Sequence, residues 1–304
     1  LASLLHCPWV ADFRDPWSRA PWRDDRRSFV TRAAGVLERA VVTRANHILF
    51  VAGGNRDDFA RHYGATVASR FRLVPNGCDP EEFDHLERPP VDPDAPFVLL
   101  HAGSLYAGRT PVPLLNALAA AVREGVIDPR RFRVRFLGTA SLQSDLSVTS
   151  RDLGLEGVVE FVPRVPRQES LRAMMAASAL LLLQPGHTVS VPGKVYEYLA
   201  VGRPILAIAE EGETAEVVRE SGIGVSVTPG DEEGIVMALK AIKEMAAAEV
   251  SMPRRELFDG TLGAAHIVEL LASVARGGKV VNAERSGTQP VVGVPSNRGE
   301  SKGL

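Results

Sequence analysis

The sequence predicts an α/β protein with doubly wound parallel sheets. Short apolar runs of strand length alternate with helix-periodic segments along most of the chain, a pattern typical of parallel strands joined by crossover helices. The chain has 304 residues, which is enough for two domains of ordinary size. Its most informative stretch is SVPGKVYEYLAVGRPILAIA at residues 190–209, where a loop, a helix and a buried strand follow one another.

Composition narrows the class of protein. Hydrophobic residues make up 45% of the chain and charged residues 24%, which fits a soluble globular protein. The formal net charge of -2 gives no reason to expect nucleic acid as a partner. Cys7 and Cys78 are the only cysteines, and they form neither a disulfide framework nor a zinc spacing, so we expect a cytoplasmic protein. No apolar run is long enough to span a bilayer, and no signal peptide is visible.

The first strand is predicted at residues 7–13, and a turn follows it. Residues just past the carboxyl end of a strand line the ligand crevice of α/β folds, so Asp12, Arg14 and Asp15 are candidate site residues. A local salt-bridged turn is the alternative interpretation of these charges.

A helix with a basic face is predicted at residues 27–46. Its apolar residues recur with a helical period, and the opposite face carries Arg27, Arg32, Arg39 and Arg44. Such a face can approach an anionic membrane surface, which would make the protein peripheral to the inner face of the membrane. An ordinary solvated face is the alternative.

The rest of the first half is predicted from short patterns. Strands are expected at residues 47–52 and 71–74, and Asn55 is predicted to cap the helix that Gly64 ends. Residues 84–96 are rich in proline and acidic residues, without periodicity, and are predicted to link two domains. The one Asp-x-Asp motif lies in this linker, so no metal site is expected from it.

A second α/β domain is predicted from residue 97. A strand at residues 97–101 leads into a loop that contains Gly103 and Arg109, and Thr110 is predicted to cap a helix with Pro111 at its first position. A strand, a glycine-containing loop and a helix are the parts of a phosphate-binding crossover. Arg109 either pairs with phosphate as a fork or is simply exposed.

Regular alternation continues to residue 274. The predicted strands are 132–137, 158–162, 179–183, 205–209 and 225–227, and the predicted helices are 168–178, 195–201, 214–220, 232–245 and 261–274. Right-handed crossovers of this kind give a doubly wound sheet. Residues 276–304 lose the apolar pattern and are predicted to be a disordered tail.

The helix predicted at residues 195–201 carries the clearest functional signal. Pro192 and Gly193 stand at its start, and Lys194 lies where free N–H groups and the helix dipole favour an anion. Glu197 follows about one turn later. This arrangement suits a nucleoside diphosphate, with Lys194 on the phosphates and Glu197 on ribose hydroxyls. The alternative is a solvated Lys and Glu at an ordinary helix start.

Five motifs in order resemble one enzyme family. The motifs are PWVADFRDPW (8–17), VPNGCDPEEF (74–83), HAGSLYAGR (101–109), PGKVYEYLAVGRPILA (192–207) and DEEGIVMALKAI (231–242). The chain resembles the GT-B glycosyltransferases of retaining family 4, especially members that act on cell-surface polysaccharides. The resemblance covers about residues 5 to 275.

This resemblance implies two Rossmann-like domains facing each other across a cleft. The implied division is an acceptor-side domain at 1–85, a linker at 86–96, a nucleotide-sugar-binding domain at 97–275 and a tail at 276–304. The family's first strands and their glycine-rich loop are expected before Leu1, so the first domain is predicted to be incomplete.

The resemblance also implies roles for particular residues. Glu197 matches a glutamate that binds the nucleotide ribose, while Arg109 and Lys194 match basic residues that face the diphosphate. The implied donor-binding residues are Gly103, Arg109, Arg164, Val165, Gly193, Lys194 and Glu197, with Pro163 to Val165 beside the nucleobase. The implied catalytic residues are Arg14, Asp15, Arg109 and Lys194, with Arg14 and Asp15 on the acceptor side.

Three positions depart from the family pattern. Val189 stands where many members have a first glutamate, Ser104 where many have arginine, and Arg14 where many have histidine. These departures bear on sugar recognition.

The expected function is retaining transfer of a sugar from a nucleotide-diphosphate donor. The expected acceptor is a glycan or a lipid-linked glycan of cell-surface polysaccharide synthesis, and no metal or other cofactor is expected. The alternatives are a nucleotide-sugar-binding fragment without transferase activity and another GT-B enzyme such as a sugar-nucleotide epimerase.

Overall fold

The computed structural model describes residues 7–20, 28–89, 92, 94–106, 108–142, 145–248 and 250–277. Most of the predicted tail, from residue 278 onward, lies outside the described residues. Within the described part of the chain, no helix is long and apolar enough to cross a membrane.

The first sheet has three parallel strands in the order β1-β2-β3. They are β1 (Val10–Phe13), β2 (His47–Phe50) and β3 (Phe71–Leu73), and the helices of this half are α1 (Phe29–Arg44), α2 (Gly53–Tyr63), α3 (Ala65–Ala68) and α4 (Glu81–Asp84). Its core is a cluster of aromatic rings in which Phe50 contacts Phe13, Phe59 and Phe71 at centroid distances of 6.0, 5.1 and 5.0 Å. These rings hold α2 against the sheet.

The prediction that Asn55 caps α2 is wrong. The helix begins at Gly53, and Asn55 is a buried residue of its first turn. The N-cap residue, Ala52, offers no side-chain cap to the first N–H groups. The Glu213 carboxylate of the second half accepts from Gly53 N and Gly54 N instead. A cap supplied from 160 residues away leaves no local sequence signal.

The second sheet has six parallel strands in the order β11-β10-β9-β4-β6-β8. They are β4 (Phe97–Ala102), β6 (Phe132–Leu137), β8 (Val159–Val162), β9 (Ala179–Gln184), β10 (Ile205–Ala209) and β11 (Gly224–Val227), while β5 (Leu105–Tyr106) pairs with β7 (Ala140–Ser141) in a separate ribbon. Counting from β4, this is the strand order of a dinucleotide-binding fold, with its switch point between β4 and β9.

Helices cover both faces of the second sheet. They are α5 (Val112–Arg123), α6 (Leu146–Asp152), α7 (Arg167–Ala176), α8 (Gly193–Val201), α9 (Glu213–Glu220) and α10 (Glu232–Ala247). Every residue of β9 and β10 is buried, as expected when helices lie on both sides of parallel strands. The predicted doubly wound domain is therefore confirmed.

One helix start in this domain differs from the prediction. Pro111, predicted as the first helical residue, is the N-cap, and α5 begins at Val112. The Thr110 hydroxyl still accepts from Val112 N at 3.3 Å. Thr110 therefore caps the helix as predicted, although it lies one residue before the N-cap.

The last helix, α11 (Gly260–Ala275), packs on the first sheet. Its buried side chains Leu270 and Val274 contact Leu49 of β2. The chain reaches this position through a close crossing at which a Cβ on Gly77 would overlap the Gly260 backbone. The division predicted from sequence places this helix with residues 97–275, whereas its packing partners lie in the first domain.

The hydroxyl of Tyr198 joins β4 and β9 where the two strands separate. The strands pair only at Leu99 with Ala179 and Leu100 with Leu180. Beyond these pairs, the buried Tyr198 hydroxyl accepts from Ala102 N of β4 at 3.0 Å and donates to Leu181 O of β9 at 3.2 Å. This side chain fixes α8 to both strands at the carboxyl edge of the sheet.

We predict that Tyr198→Phe destabilises the protein because the buried Ala102 N–H loses its acceptor. The expected cost is about 1–3 kcal/mol, the usual penalty for an unpaired buried donor. Urea unfolding followed by circular dichroism measures it. The control is Tyr106→Phe, since the 42% exposed Tyr106 has no hydroxyl partner in the described part of the chain. Equal stability of both variants would contradict the bridging role.

Candidate active site

The site lies at the carboxyl ends of β4 and β9. This is the switch point of the sheet, where adjacent crossovers leave in opposite directions and open a crevice. The loop after β4, the loop after β9 and the start of α8 meet there. These segments carry Gly103, Gln184 and Lys194.

The start of α8 is open to the crevice. Gly193 is exposed, and a Cβ built on it would meet no atom within 4 Å. The N–H groups of Gly193 and Lys194 have no acceptor in the described part of the chain, as is usual for a first helical turn. The sequence prediction of an anion-binding helix start is therefore consistent with the local geometry.

Lys194 reaches across to the loop after β4. Its ammonium lies against Gly103, so closely that a Cβ on Gly103 would overlap Lys194 Nζ. Burial, with the nearby positive charge of Arg109, lowers the pKa of Lys194 to about 8. The predicted residues Gly103 and Lys194 are thus brought together, and the φ of 149° at Gly103 is a backbone conformation that favours glycine.

Arg109 is the second cation of the site. Its Nη2 donates to Gln184 Oε1 at 2.6 Å, and its guanidinium lies 4.8 Å from the centre of the Tyr106 ring. Burial lowers the pKa of Arg109, and its Nε has no hydrogen-bond partner within the described residues. Gln184 and the Tyr106 ring therefore hold the Arg109 guanidinium, and its Nε–H is left to donate to another group.

His101 completes the cluster and is not singled out by the sequence. Its ring is 1% exposed, and its Nδ1 lies 2.9 Å from Leu181 O, a geometry that places the proton on Nδ1. Burial, with a contribution from Lys194, lowers the pKa of His101 to about 3, so the ring is neutral. Its Nε2 has no partner in the described part of the chain.

Glu197 is held in an ion-pair network. Arg167 Nη1 donates to Glu197 Oε1 at 2.9 Å, and Arg167 Nη2 donates to Glu82 Oε2 at 2.6 Å. One Glu197 carboxylate oxygen therefore has a guanidinium partner, and the other has none among the described residues.

The two residues predicted on the acceptor side, Arg14 and Asp15, have different surroundings. Arg14 Nε pairs with Asp12 Oδ2 at 3.1 Å in an exposed turn, which matches the alternative of a local salt bridge. Asp15 lies close enough to His187 of the loop after β9 to oppose the lowering of the His187 pKa that burial and Arg109 cause. Asp15 is exposed, and its charge acts on His187 together with that of Glu210.

Arg164 and Val165 lie apart from the cation cluster. They follow β8, the edge strand two places from β4. Arg164 is exposed, and Val165 is half-buried against the core. No contact in the described residues joins either side chain to Lys194 or Arg109.

Glu213 connects the two halves of the molecule. Its carboxylate accepts from Gly53 N at 2.9 Å and also from Gly54 N, at the start of α2. Burial raises the pKa of Glu213 to about 7, opposed mainly by the hydrogen bond from Gly53 N and less by Arg56, while Glu216 and Asp57 add to the rise. An acidic residue in the first turn of a helix is common, so Glu213 gives no sequence signal for this interdomain contact.

The acidic and imidazole side chains of the described residues do not gather into a group of three or more that could hold a metal ion. The charged groups that do converge, Lys194 and Arg109, are both cationic.

Comparison with known proteins supports the architecture. Residues 96–244 match the family model described as Glycosyl transferases group 1, which covers most of the second domain. No curated protein sequence matches the chain.

Several solved glycosyltransferase structures share the fold. HepE of Anabaena in complex with UDP-glucose has 18% sequence identity and a TM-score of 0.63, over 90% of this chain and 74% of that one. Sucrose-phosphate synthase of Thermosynechococcus elongatus has 16% identity and a TM-score of 0.67, over 88% and 68%. WaaG, a glycosyltransferase involved in lipopolysaccharide biosynthesis, has 17% identity and a TM-score of 0.59, over 90% and 76%.

These likenesses show the fold, which is the GT-B fold predicted from the sequence. The chain thus combines the GT-B architecture with a segment that matches group 1 glycosyltransferases and a cation cluster at the switch point.

We predict that Glu213 makes stability pH-dependent. Because the folded-state pKa is raised, its favourable contribution is complete below about pH 4.5 and is lost as the pH rises to about 7. Glu213→Gln should remove this fall, which we expect to be about 1–2 kcal/mol after allowance for partial exposure. Melting temperatures at pH 5 and pH 8 measure it.

The matched control is Glu210→Gln, which removes a carboxylate that accepts from Gly186 N at 2.6 Å within the second domain. That variant should keep the pH dependence of the wild type. If Glu213→Gln also keeps it, the buried interdomain carboxylate is not its source.

Proposed function

We propose that the protein is a retaining glycosyltransferase of family 4, which transfers a hexose or a similar sugar from a nucleotide-diphosphate donor. The observation that carries this proposal is the convergence of Lys194, Arg109 and the free start of α8 at the switch point of a dinucleotide-binding sheet. A diphosphate is the anion that such a set of donors fits best.

The main chemical task of this site is to stabilise charge on the leaving diphosphate. The anomeric bond breaks with an oxocarbenium-like transition state, and negative charge develops on the departing phosphate oxygens. Lys194, Arg109 and the N–H groups of Gly193 and Lys194 are donors held in place before the reaction, which is the arrangement that lowers such a barrier.

In this proposal Glu197 accepts hydrogen bonds from the ribose hydroxyls. Its free carboxylate oxygen is available while Arg167 orients the other. Arg164 and Val165 are assigned to the nucleobase side, and Gly103 allows Lys194 to approach the phosphates. HepE binds UDP and UDP-glucose in its solved structures, so uridine donors are the first to test.

The acceptor is proposed to enter from the first domain. Asp15 and Arg14 lie past the end of β1, and the Asp15 charge acts on His187 of the loop after β9. The acceptor is a glycan or a lipid-linked glycan of cell-surface polysaccharide synthesis. WaaG, which shares the fold, is a glycosyltransferase involved in lipopolysaccharide biosynthesis.

The location proposed is the cytoplasm, with contact to the inner face of the membrane through α1. This helix exposes apolar side chains, Phe29 at 85% and Leu37 at 57%, beside the exposed arginines Arg32 and Arg39. Apolar and basic side chains on one exposed helix suit an anionic lipid surface.

We predict that Lys194→Ala and Glu197→Ala weaken donor binding. Each loses a charged hydrogen bond of about 1.5–3 kcal/mol, equivalent to about ten- to a hundredfold in affinity. Titration calorimetry with uridine, guanosine and adenosine diphosphate sugars first identifies the tightest donor, which is then used for the variants.

Two matched variants serve as controls. Lys240→Ala removes an exposed lysine of α10, and Glu82→Ala removes the other partner of Arg167. Both should bind the donor within about threefold of wild type, because exposed charges contribute little. Unchanged affinity in both Lys194→Ala and Glu197→Ala would reject the site. Release of free nucleotide in the presence of acceptor distinguishes transfer from binding alone.

We also propose that activity is independent of metal ions, since two cations and a helix start are placed to balance the diphosphate charge. Nucleotide release should be unchanged by a chelator. Activity that disappears with the chelator and returns with Mg²⁺ or Mn²⁺ would show this proposal to be wrong.

A further inference from the structure

A cavity of about 650 Å³ lies between α1 and α2, and we call it the α1–α2 pocket. Ser18, which follows β1, lines it on one side, and Val189 of the second domain lines it on another. The pocket therefore lies where the first domain meets the loop after β9. It shares no lining residue with the Lys194–Arg109 cluster.

Two buried polar side chains line this pocket without partners. Asn55 is 1% exposed and Thr31 is 7% exposed. In the described part of the chain, Asn55 Nδ2 and Thr31 Oγ1 have no hydrogen-bond partner. Buried polar atoms in folded proteins are nearly always paired with protein groups or ordered water, so these two atoms can pair with a water or with a polar ligand that supplies acceptors.

The acidic side chains of the pocket already have partners. Glu38 accepts from Ser18 N at 2.7 Å and from the Tyr63 hydroxyl at 2.8 Å. Asp58 accepts from both Arg19 Nε at 2.8 Å and Arg19 Nη2 at 3.1 Å. The Asp58 charge is therefore paired with Arg19, while the Glu38 carboxylate is hydrogen-bonded by two neutral donors.

The remaining charge of the pocket is positive. Arg32 and Arg39 both line it from α1, and neither pairs with an acidic residue in the described part of the chain. Arg61, from α2, lies 3.8 Å from the already paired Asp58. Guanidinium groups bind phosphate and carboxylate as forks, so the uncommitted donors favour an anion.

We propose that the α1–α2 pocket binds a phosphate group carried by the sugar acceptor, with Arg32 and Arg39 supplying charge and Asn55 and Thr31 supplying hydrogen bonds. This inference rests on the proposed transferase function and names the chemical class of its acceptor. A phosphate offers three acceptor oxygens to these four groups, whereas a carboxylate offers two. An acceptor of this class is the product of a reaction that places a phosphate or diphosphate on a sugar.

Glucose 1-phosphate is the test ligand, titrated by calorimetry in the Lys194→Ala background so that binding at the donor site is weakened. It should bind at least about tenfold tighter than glucose, the difference that one charged hydrogen bond contributes. Arg39→Gln should lower this affinity by about three- to tenfold, and Arg32→Gln with Arg39→Gln should reduce it to that of glucose.

The matched control is Arg44→Gln, which removes the same charge from the same helix outside the pocket. It should leave the affinity for glucose 1-phosphate unchanged. Arg39→Gln is on an exposed helix surface and should fold normally, which its melting temperature checks. Asn55→Ser gives a second measurement at the buried side of the pocket.

Three results would overturn the proposal. They are equal affinity for glucose and glucose 1-phosphate, equal affinity for glucuronate and glucose 1-phosphate, and equal loss in Arg44→Gln and Arg39→Gln. Vesicles of phosphatidylcholine with phosphatidic acid distinguish the source of the phosphate. Arg39-dependent binding to these vesicles without Arg39-dependent binding of glucose 1-phosphate would be explained by the membrane contact proposed for α1 and would overturn the pocket assignment.

The two proposals fail separately. If the pocket is assigned correctly, Arg39→Gln keeps the donor affinity of the wild type while losing glucose 1-phosphate. If the donor site alone is wrong, Lys194→Ala keeps its donor affinity, and the Arg39-dependent binding of glucose 1-phosphate persists.

Discussion

The hydrogen bonds of the Tyr198 hydroxyl are the constraint on which the site depends. Parallel strands β4 and β9 must separate to create a crevice, and each separated strand then exposes unpaired backbone groups. Tyr198 satisfies Ala102 N and Leu181 O, and His101 Nδ1 reaches the same carbonyl. Because Tyr198 belongs to α8, the hydroxyl that bridges β4 and β9 also sets the position of Lys194, which lies one helical turn earlier.

Much of this fold follows from local patterns in the sequence. The strands at residues 132–137 and 205–209 have the predicted bounds, since a buried parallel strand needs a short apolar run. Gly202 ends α8 at a φ of 67°, in the left-handed conformation that glycine adopts without strain. The approach of Lys194 to Gly103 was predicted only in part, because spacing shows a helix start and a loop but not their distance.

The parts that could not be predicted depend on long-range contacts. The start of α2 is capped by Glu213, and α11 returns to Leu49 of the first sheet. Neither contact leaves a pattern near the residues involved. His101 ends one predicted strand and Gln184 directly follows another, so the rule that selects residues at the carboxyl ends of strands could have found both. A polar residue at such a place is more often a satisfied part of the core.

The unpaired hydrogen-bond donors at the switch point and in the α1–α2 pocket have a common physical consequence. At the switch point, Arg109 Nε has no partner and Lys194 is partly desolvated beside another cation, so the cluster is less stable without an anion. In the α1–α2 pocket, Asn55 Nδ2 is likewise unpaired. Ligands that pair these groups relieve a cost that folding alone leaves in place, and that relief adds to the affinity of binding.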